Sequence, residues 1–320
     1  MAYDLLTFGE ALVEIMRTDV DQPLDQPGPF VGPYPSGAPF IFAVQAARLG
    51  ARSACVGAVG SDAFGRLMLD SFAADGLDTS AIRVVPDQTT GVAFIAYARD
   101  GSRDFVYHLR HAAAGHIGPE SLRPEMFDGL KCLHLTGSSL SMHEEAYQLG
   151  LRALEWAQAA GARISFDPNL RPQLLDPAQA SHRLAPFMSA CDVVLMTREE
   201  LLTLTAMPEE AFAVESLVIE RPERLVVVHA GDQGCSVVEM TAEGVTTTRV
   251  APFRVNAIDP TGAGDCFDAG FLVQWLSGTK PVDAARYANA CGALACTEKG
   301  PMAGAKSAAQ VAAFLDAYRD

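Results

Sequence analysis

The chain has 320 residues, 49% of them hydrophobic and 20% charged, which is ample for a buried core and far from a disordered composition. The formal net charge is −15 and no basic stripe runs through the sequence, which argues against a nucleic-acid partner. There is no apolar run of about 18 residues, and residues 1–10 lack the basic, apolar and small-residue parts of a secretory signal, so a cytoplasmic protein with no membrane partner is expected.

Residues 3–8 read as a short buried strand ended by Gly9. Residues 19–39 are dense in Pro and Gly and cannot form a regular helix or a central strand. A helix is predicted over 40–49, a strand over 53–59 and a helix over 62–75, with Gly50 and Gly76 as stops. The texture then changes. Residues 90–98 and 103–109 alternate and are rich in β-formers, with Asp100-Gly101 between them as a hairpin signal. After this antiparallel excursion the alternation of strand and helix resumes. Strands are predicted over 131–135, 163–166, 192–196, 224–229 and 246–250, and helices over 144–160, 264–275, 281–295 and 308–318. Repeated β-α alternation predicts an α/β fold with a doubly wound, mainly parallel sheet. Residues 1–320 read as one domain, and residues of about 15–39 and 90–113 as a small antiparallel β lid outside its sheet.

The seven cysteines are odd in number and include no C-x-x-C pair, so they read as buried thiols in a reducing compartment. His108, His111, His116 and His134 are irregularly spaced, without the Cys or carboxylate companions of a zinc site. Neither G-x-G-x-x-G nor a P-loop motif occurs.

The segment with the most chemistry is Asp259-Pro260-Thr261-Gly262-Ala263-Gly264-Asp265-Cys266-Phe267-Asp268-Ala269-Gly270. Its Gly-Ala-Gly run precedes a helix, so backbone N–H groups and the positive end of the helix dipole converge on one point. Such a point suits a phosphoryl group in transfer, and a carboxylate at Asp265 can accept a proton from an attacking hydroxyl. Taken alone, Thr261 to Asp265 reads equally as a tight turn with a capping Asp. Ala269 and Gly270 read as room for close helix–sheet packing.

This segment resembles the C-terminal signature of the PfkB, or ribokinase-like, carbohydrate kinases. Pro35-Ser36-Gly37-Ala38-Pro39, Ala47-Arg48-Leu49-Gly50 and the run from Gly57 to Gly65 resemble the N-terminal signature. Asp167-Pro168-Asn169-Leu170-Arg171-Pro172 is similar to a segment of the fructokinase and 2-keto-3-deoxygluconate kinase branches. The resemblance implies that Asp265 is the base and that Gly262, Ala263 and Gly264 form the anion hole. It places Arg171 between sugar and phosphate, and Gly231 and Gly234 in a turn lining ATP. Asn289 falls near the adenine and Arg110 on the lid, in reach of the sugar. Glu14, Ser36, Gly37 and Asn169 fall on the sugar side. Thr197 and Glu200 occupy the ends of an N-x-x-E motif that organises Mg2+ through water, and a monovalent cation is a further candidate cofactor. The sequence departs from the pattern at Ser36, where Gly is usual, at Ile41 and Thr197, where Asn is usual, and at Glu14, where several branches have Asp.

The implied activity is phosphoryl transfer from ATP to a primary hydroxyl of a ketohexose such as fructose or tagatose. The alternatives are 2-keto-3-deoxygluconate as substrate and a non-catalytic sugar-binding relative. Lid tyrosines typical of the 2-keto-3-deoxygluconate branch align with Ala93 and His108. The exposed edges of a lid invite pairing, so a homodimer through the lid is a further expectation.

Overall fold

A computed structural model describes residues 2–99 and 102–318. From the N-terminus run β1 (Leu5–Phe8), β2 (Leu12–Arg17), β3 (Phe30–Ser36), α1 (Ala38–Arg48), β4 (Ser53–Gly60), α2 (Ala63–Ala74), β5 (Ile82–Val85), β6 (Gly91–Tyr97) and β7 (Arg103–His108). They are followed by β8 (Cys132–Thr136), α3 (Gly137–Leu140), α4 (Glu144–Ala159), β9 (Arg163–Asp167), α5 (Pro177–Ala190), β10 (Val193–Thr197), α6 (Arg198–Thr205), α7 (Glu210–Glu220) and β11 (Leu225–His229). The chain ends with β12 (Cys235–Thr241), β13 (Gly244–Val250), α8 (Ala263–Leu276), α9 (Pro281–Ala295) and α10 (Ala308–Ala317).

Nine strands form one sheet in the order β13-β12-β11-β10-β9-β8-β1-β4-β5. All its pairings are parallel except β11–β12 and β12–β13, which are antiparallel. Successive strand residues point to opposite faces, and both faces here are apolar. On β10, Val194 and Met196 join one buried cluster with Leu149 of α4, Leu184 of α5 and Leu217 of α7. Val193 and Leu195 join the other, with Phe42 of α1, Phe72 of α2 and Phe271 of α8. The sheet is therefore doubly wound, with helices on each face. Six of the seven free thiols are buried. Among the described residues, no helix is long and apolar enough to cross a membrane.

Four strands form a second, smaller sheet in the order β3-β2-β6-β7. Two of its pairings are antiparallel, and β2–β6 is parallel. The sheet starts earlier than the sequence boundary near residue 15 suggests, because β2 begins at Leu12 and is a central strand. Pro33 and Pro35 lie in β3, an edge strand, where a missing N–H costs no ladder bond on the free side. The expected hairpin turn at Asp100-Gly101 falls outside the described residues.

Gly270 departs from the helix–sheet packing expected of it. A Cβ there would lie 2.8 Å from Cys291 Sγ and 3.2 Å from Ala288 Cα, so its missing side chain lets α8 press against α9.

Candidate active site

In doubly wound sheets the parallel strands present their carboxyl ends to a crevice. Here Glu10 follows β1, Ser138 follows β8, and Asp167, Thr197 and His229 end β9, β10 and β11. All five line one cleft of about 240 Å³, together with Pro260 to Asp265 from the start of α8. The second sheet supplies Leu12, Glu14, Ser36, Arg103, Phe105 and Tyr107 to its wall.

The start of α8 is held from behind. Asp259 is buried and accepts hydrogen bonds from Thr261 N–H (3.0 Å) and Tyr97 Oη (3.2 Å) on one oxygen. Its other oxygen accepts from Gly300 N–H at 3.0 Å. Gly262 is the N-cap with φ 80°, and no side chain caps the helix. A Cβ at Gly262 would lie 2.4 Å from Pro301 O and 3.0 Å from Ile41 Cγ2. This position thus needs glycine on two counts, and Ile41 packs beneath the loop. With no side-chain cap, the positive end of the α8 dipole faces the cleft, while Ala263 N–H donates to Pro260 O at 3.3 Å.

Asp265 sits in that first turn, buried. Burial pushes its carboxyl up to about 7, with Glu10 adding to the rise and Arg171 opposing it. A carboxyl near 7 is matched to proton transfer at neutral pH.

Glu10, which sequence reasoning missed, is also buried and accepts from Ser138 Oγ (3.1 Å) and Ser139 Oγ (2.7 Å). Its signal was available, as a carboxylate directly after a buried strand and its glycine. Glu14 accepts from Ser36 Oγ at 2.6 Å, so the unusual serine orients the unusual glutamate. Burial raises Glu14 to about 7, and its second oxygen is buried without a partner. Asn169, at φ 40°, donates to Asp167 from its N–H (2.8 Å) and Nδ2 (3.0 Å), while its own Oδ1 has no partner. The cleft therefore offers acceptors for ligand hydroxyls at Glu14 and Asn169, beside the donor Arg171.

Thr197 and Glu200 form a capping box. Thr197 N–H and Oγ1 both donate to Glu200 Oε2 at 2.8 Å, and Glu200 N–H donates to Thr197 Oγ1 at 3.3 Å. Glu200 Oε1 accepts from Leu170 N–H at 2.8 Å. The pair thereby ties α6 to the loop bearing Asn169 and Arg171, and most of the acceptor capacity of Glu200 is used. Among the described residues no group of three or more His, Cys, Asp or Glu could hold a metal ion. These residues fit Mg2+ only in its usual manner, carried by phosphates and waters with at most one carboxylate nearby.

Of the sequence-predicted site residues, Glu14, Ser36, Gly37, Asn169, Arg171, Thr197, Glu200 and Gly262 to Asp265 line the cleft. Arg110 does not. It is exposed beyond the end of β7, and the arginine of the second sheet that lines the cleft is Arg103, whose Nη1 lies 3.4 Å from Thr261 Oγ1. Period-two alternation puts Arg103, Phe105 and Tyr107 together on one face of β7, with the two aromatic rings stacked at 5.4 Å. Gly231, Gly234 and Asn289 also lie off this cleft. Gly231 and Gly234 form the turn after β11 at φ 55° and 87°, and a Cβ on Gly234 would meet Val250 O at 2.1 Å. Asn289 Nδ2 donates to Val250 O (3.3 Å) and Ala251 O (3.1 Å), so it converges with Gly234 on the end of β13.

Residues 3–308 match the pfkB family carbohydrate kinases. Fructokinase-1 of Zea mays is 30% identical over 98% of this chain and 97% of its own. An E. coli protein provisionally called ribokinase II, solved with ATP and Mg2+, is 35% identical, with a TM-score of 0.89 over 99% of this chain and 100% of that one. A fructokinase from Vibrio cholerae O395, solved with fructose, ADP and calcium, is 27% identical, with a TM-score of 0.82 over 98% of this chain and 99% of that one. The chain belongs to the pfkB family of carbohydrate kinases and is a phosphotransferase acting on a sugar hydroxyl.

Proposed function

We propose that this kinase transfers the γ-phosphoryl group of ATP to a primary hydroxyl of a ketohexose of the fructose or tagatose type. One observation carries the reading. A buried carboxylate raised to about 7, Asp265, stands in the uncapped first turn of α8 beside Arg171, in a cleft whose sugar side presents free acceptors. Asp265 accepts the proton of the attacking hydroxyl. The N–H groups of Gly264 and Asp265 and the Arg171 guanidinium stabilise charge on the phosphoryl oxygens. Glu14 and Asn169 accept hydrogen bonds from sugar hydroxyls and fix which one faces Asp265. Mg2+, when bound with ATP, neutralises phosphate charge, and Glu200 would meet it only through water. The turn at Gly231 and Gly234, with Asn289, holds the nucleotide beyond the cleft. The relatives solved with ATP or with ADP and fructose support both ligands.

The whole chain is one kinase unit, and the second sheet is its lid. Closure brings Arg103, Phe105 and Tyr107 over the sugar and excludes water, which would otherwise hydrolyse ATP. The outer lid residues Phe30 and Val106 are exposed, consistent with a homodimer through this sheet. Sedimentation should then give twice the chain mass, and a monomer at working concentration would reject the dimer.

A second reading, 2-keto-3-deoxygluconate, gains from Arg103, Arg171 and Tyr107, which suit a carboxylate-bearing sugar. Against it stand Glu10, Glu14 and Asp265, three carboxyl groups facing the same space. The deciding experiment is a coupled assay with MgATP over fructose, tagatose, 2-keto-3-deoxygluconate, ribose and adenosine. A ketohexose should give the highest kcat/KM. Preference for the acid sugar would reassign the substrate, and no turnover with any of them would favour the sugar-binding alternative.

A further inference from the structure

Among the described residues, one buried carboxylate has neither a task in the mechanism above nor a hydrogen-bond partner on either oxygen. Asp268 lies one turn beyond Asp265 on α8, is fully buried, and neither of its oxygens has a hydrogen-bond partner. An isolated buried carboxylate is expensive, so such a group must be neutralised by a proton or by a cation. One group is placed to do this. His229 Nε2 lies 3.3 Å from Asp268 Oδ1, and that nitrogen is likewise buried without another partner. His229 ends β11, pairs with Thr197 on one side and Cys235 on the other, and rests against the Phe267 ring at 4.4 Å. Its side chain is 16% exposed and lines the cleft, whereas Asp268 is completely enclosed behind it.

We propose that Asp268 and His229 share one proton and that the pair sets a cationic imidazole beside the phosphate chain of the bound nucleotide. The proposal rests on the kinase reading. The balance is simple, since the proton leaves Asp268 Oδ1 and joins His229 Nε2. Asp268 becomes the carboxylate and His229 the imidazolium. Because His229 is on the cleft side, the transfer creates a dipole with its positive end toward the cleft. Phosphate charge arriving there favours this state, and an empty cleft favours the neutral one. The surroundings agree. Burial pushes the Asp268 carboxyl well up and His229 down, which keeps both neutral at rest. Asp167 from β9, Glu200 from α6 and Asp265 from α8 also act on His229, all three favouring its charged form. Asp265 and Glu200 further oppose ionisation of Asp268. Asp268 is a positioning residue, acting on the nucleotide through His229.

The test is ATP binding by calorimetry on the full chain, with wild type, D268N, H229Q and the double variant. D268N keeps the shape of Asp268 and cannot supply the proton. Each single variant should weaken ATP binding about tenfold, the scale of one charge-assisted hydrogen bond. Sugar KM should stay unchanged, and the double variant should bind no more weakly than either single one. A merely structural role would lower the unfolding midpoint and leave this pattern absent. Wild-type ATP affinity in D268N, or additive losses in the double variant, would overturn the proposal. A second readout needs no variant. Nitrogen NMR of the seven histidines in the wild-type chain should show one imidazole gaining a proton on ATP addition, and none doing so overturns it. Failure of the wild-type chain to bind ATP at all would reject the kinase reading itself.

Discussion

Glu14 and Asp265 show what a buried carboxyl costs the empty enzyme. Burial is the main cause at both, and each is raised to about 7 from an ordinary value near 4.5 or 3.8. A raised carboxyl contributes stability that is complete below its unfolded value and lost as pH rises through the folded one. For Glu14 that loss, between pH 4.5 and pH 7, amounts to roughly 3 kcal/mol. Glu14→Gln should therefore gain stability over wild type at pH 8 but not at pH 5, read from urea midpoints, while its sugar KM rises. An equal shift at both pH values would mean that Glu14 is ionised throughout. The same two groups shape the rate. With Asp265 as the proposed base, kcat/KM should climb through about pH 7 and fall away on the acid side. Asp265→Asn should cut kcat by about 10³-fold with sugar binding intact, as for removal of a general base. Sugar turnover near the wild-type rate in this variant would remove Asp265 from its role.

At the level of elements, helix starts do much of the placing. Asp62 caps α2, accepting from Gly65 N–H at 2.8 Å, and it also accepts from Thr90 N–H and Oγ1 at 2.7 Å each, at the foot of β6. One side chain thus fixes a helix and ties the second sheet to the first. Burial would raise its carboxyl, but the Thr90 and Gly65 donors outweigh that and hold it below the usual range. Asp62→Ala should cost about 1–2 kcal/mol, a typical loss for a capping carboxylate. The cost should be present at neutral pH and vanish in acid, where wild type loses the same bonds. A stability difference that persisted at pH 2 would show that packing, not the carboxylate, is responsible. Much of this was legible beforehand. Asp62 stands before an apolar run, and the covered parallel strands read as continuous apolar segments. The start of α8 was legible from its Gly-Ala-Gly run before an apolar helix, and the structure adds that Gly262 has φ 80° against Pro301. What escaped were elements whose patterns are blurred. α7 exposes Phe212 and Ile219 while burying Val214 and Val218, so its apolar residues do not keep to one face. α5 carries Pro186 inside it, and α6 is only eight residues long. Motif position points to Arg110, whereas the arginine that lines the cleft is Arg103, on the face of β7 it shares with Phe105 and Tyr107.

Across the whole molecule, the two sheets meet at the residues that lead into α8. Tyr97, at the end of β6, reaches Asp259 Oδ1 at 3.2 Å and Thr261 Oγ1 at 3.0 Å, and Arg103 of β7 approaches the same threonine. Burial and the neighbouring Asp259 and Glu14 push the Tyr97 hydroxyl well up, so it stays a neutral donor across the working range. The loop that leads into α8 is thereby bonded to the second sheet. In the proposed mechanism this couples lid position to the geometry of residues 262–265, through the Tyr97 hydroxyl and through Arg103. Tyr97→Phe removes that hydroxyl and little else, leaving Asp259 its bonds from Thr261 N–H and Gly300 N–H. Loss of this link should lower kcat/KM for the sugar about tenfold, the scale of one or two partly buried hydrogen bonds. ATP affinity should hold, because the glycine turn after β11 and Asn289 lie away from the lid. If the lid excludes water only when latched, the ratio of ATP hydrolysed to sugar phosphorylated should also rise in the variant. Measuring both products in one reaction separates the possibilities. A fall in sugar turnover with a raised hydrolysis ratio places the latch at Tyr97. A fall with no change in the ratio leaves Tyr97 shaping the anion hole alone, and unchanged kinetics would mean that the lid closes without it.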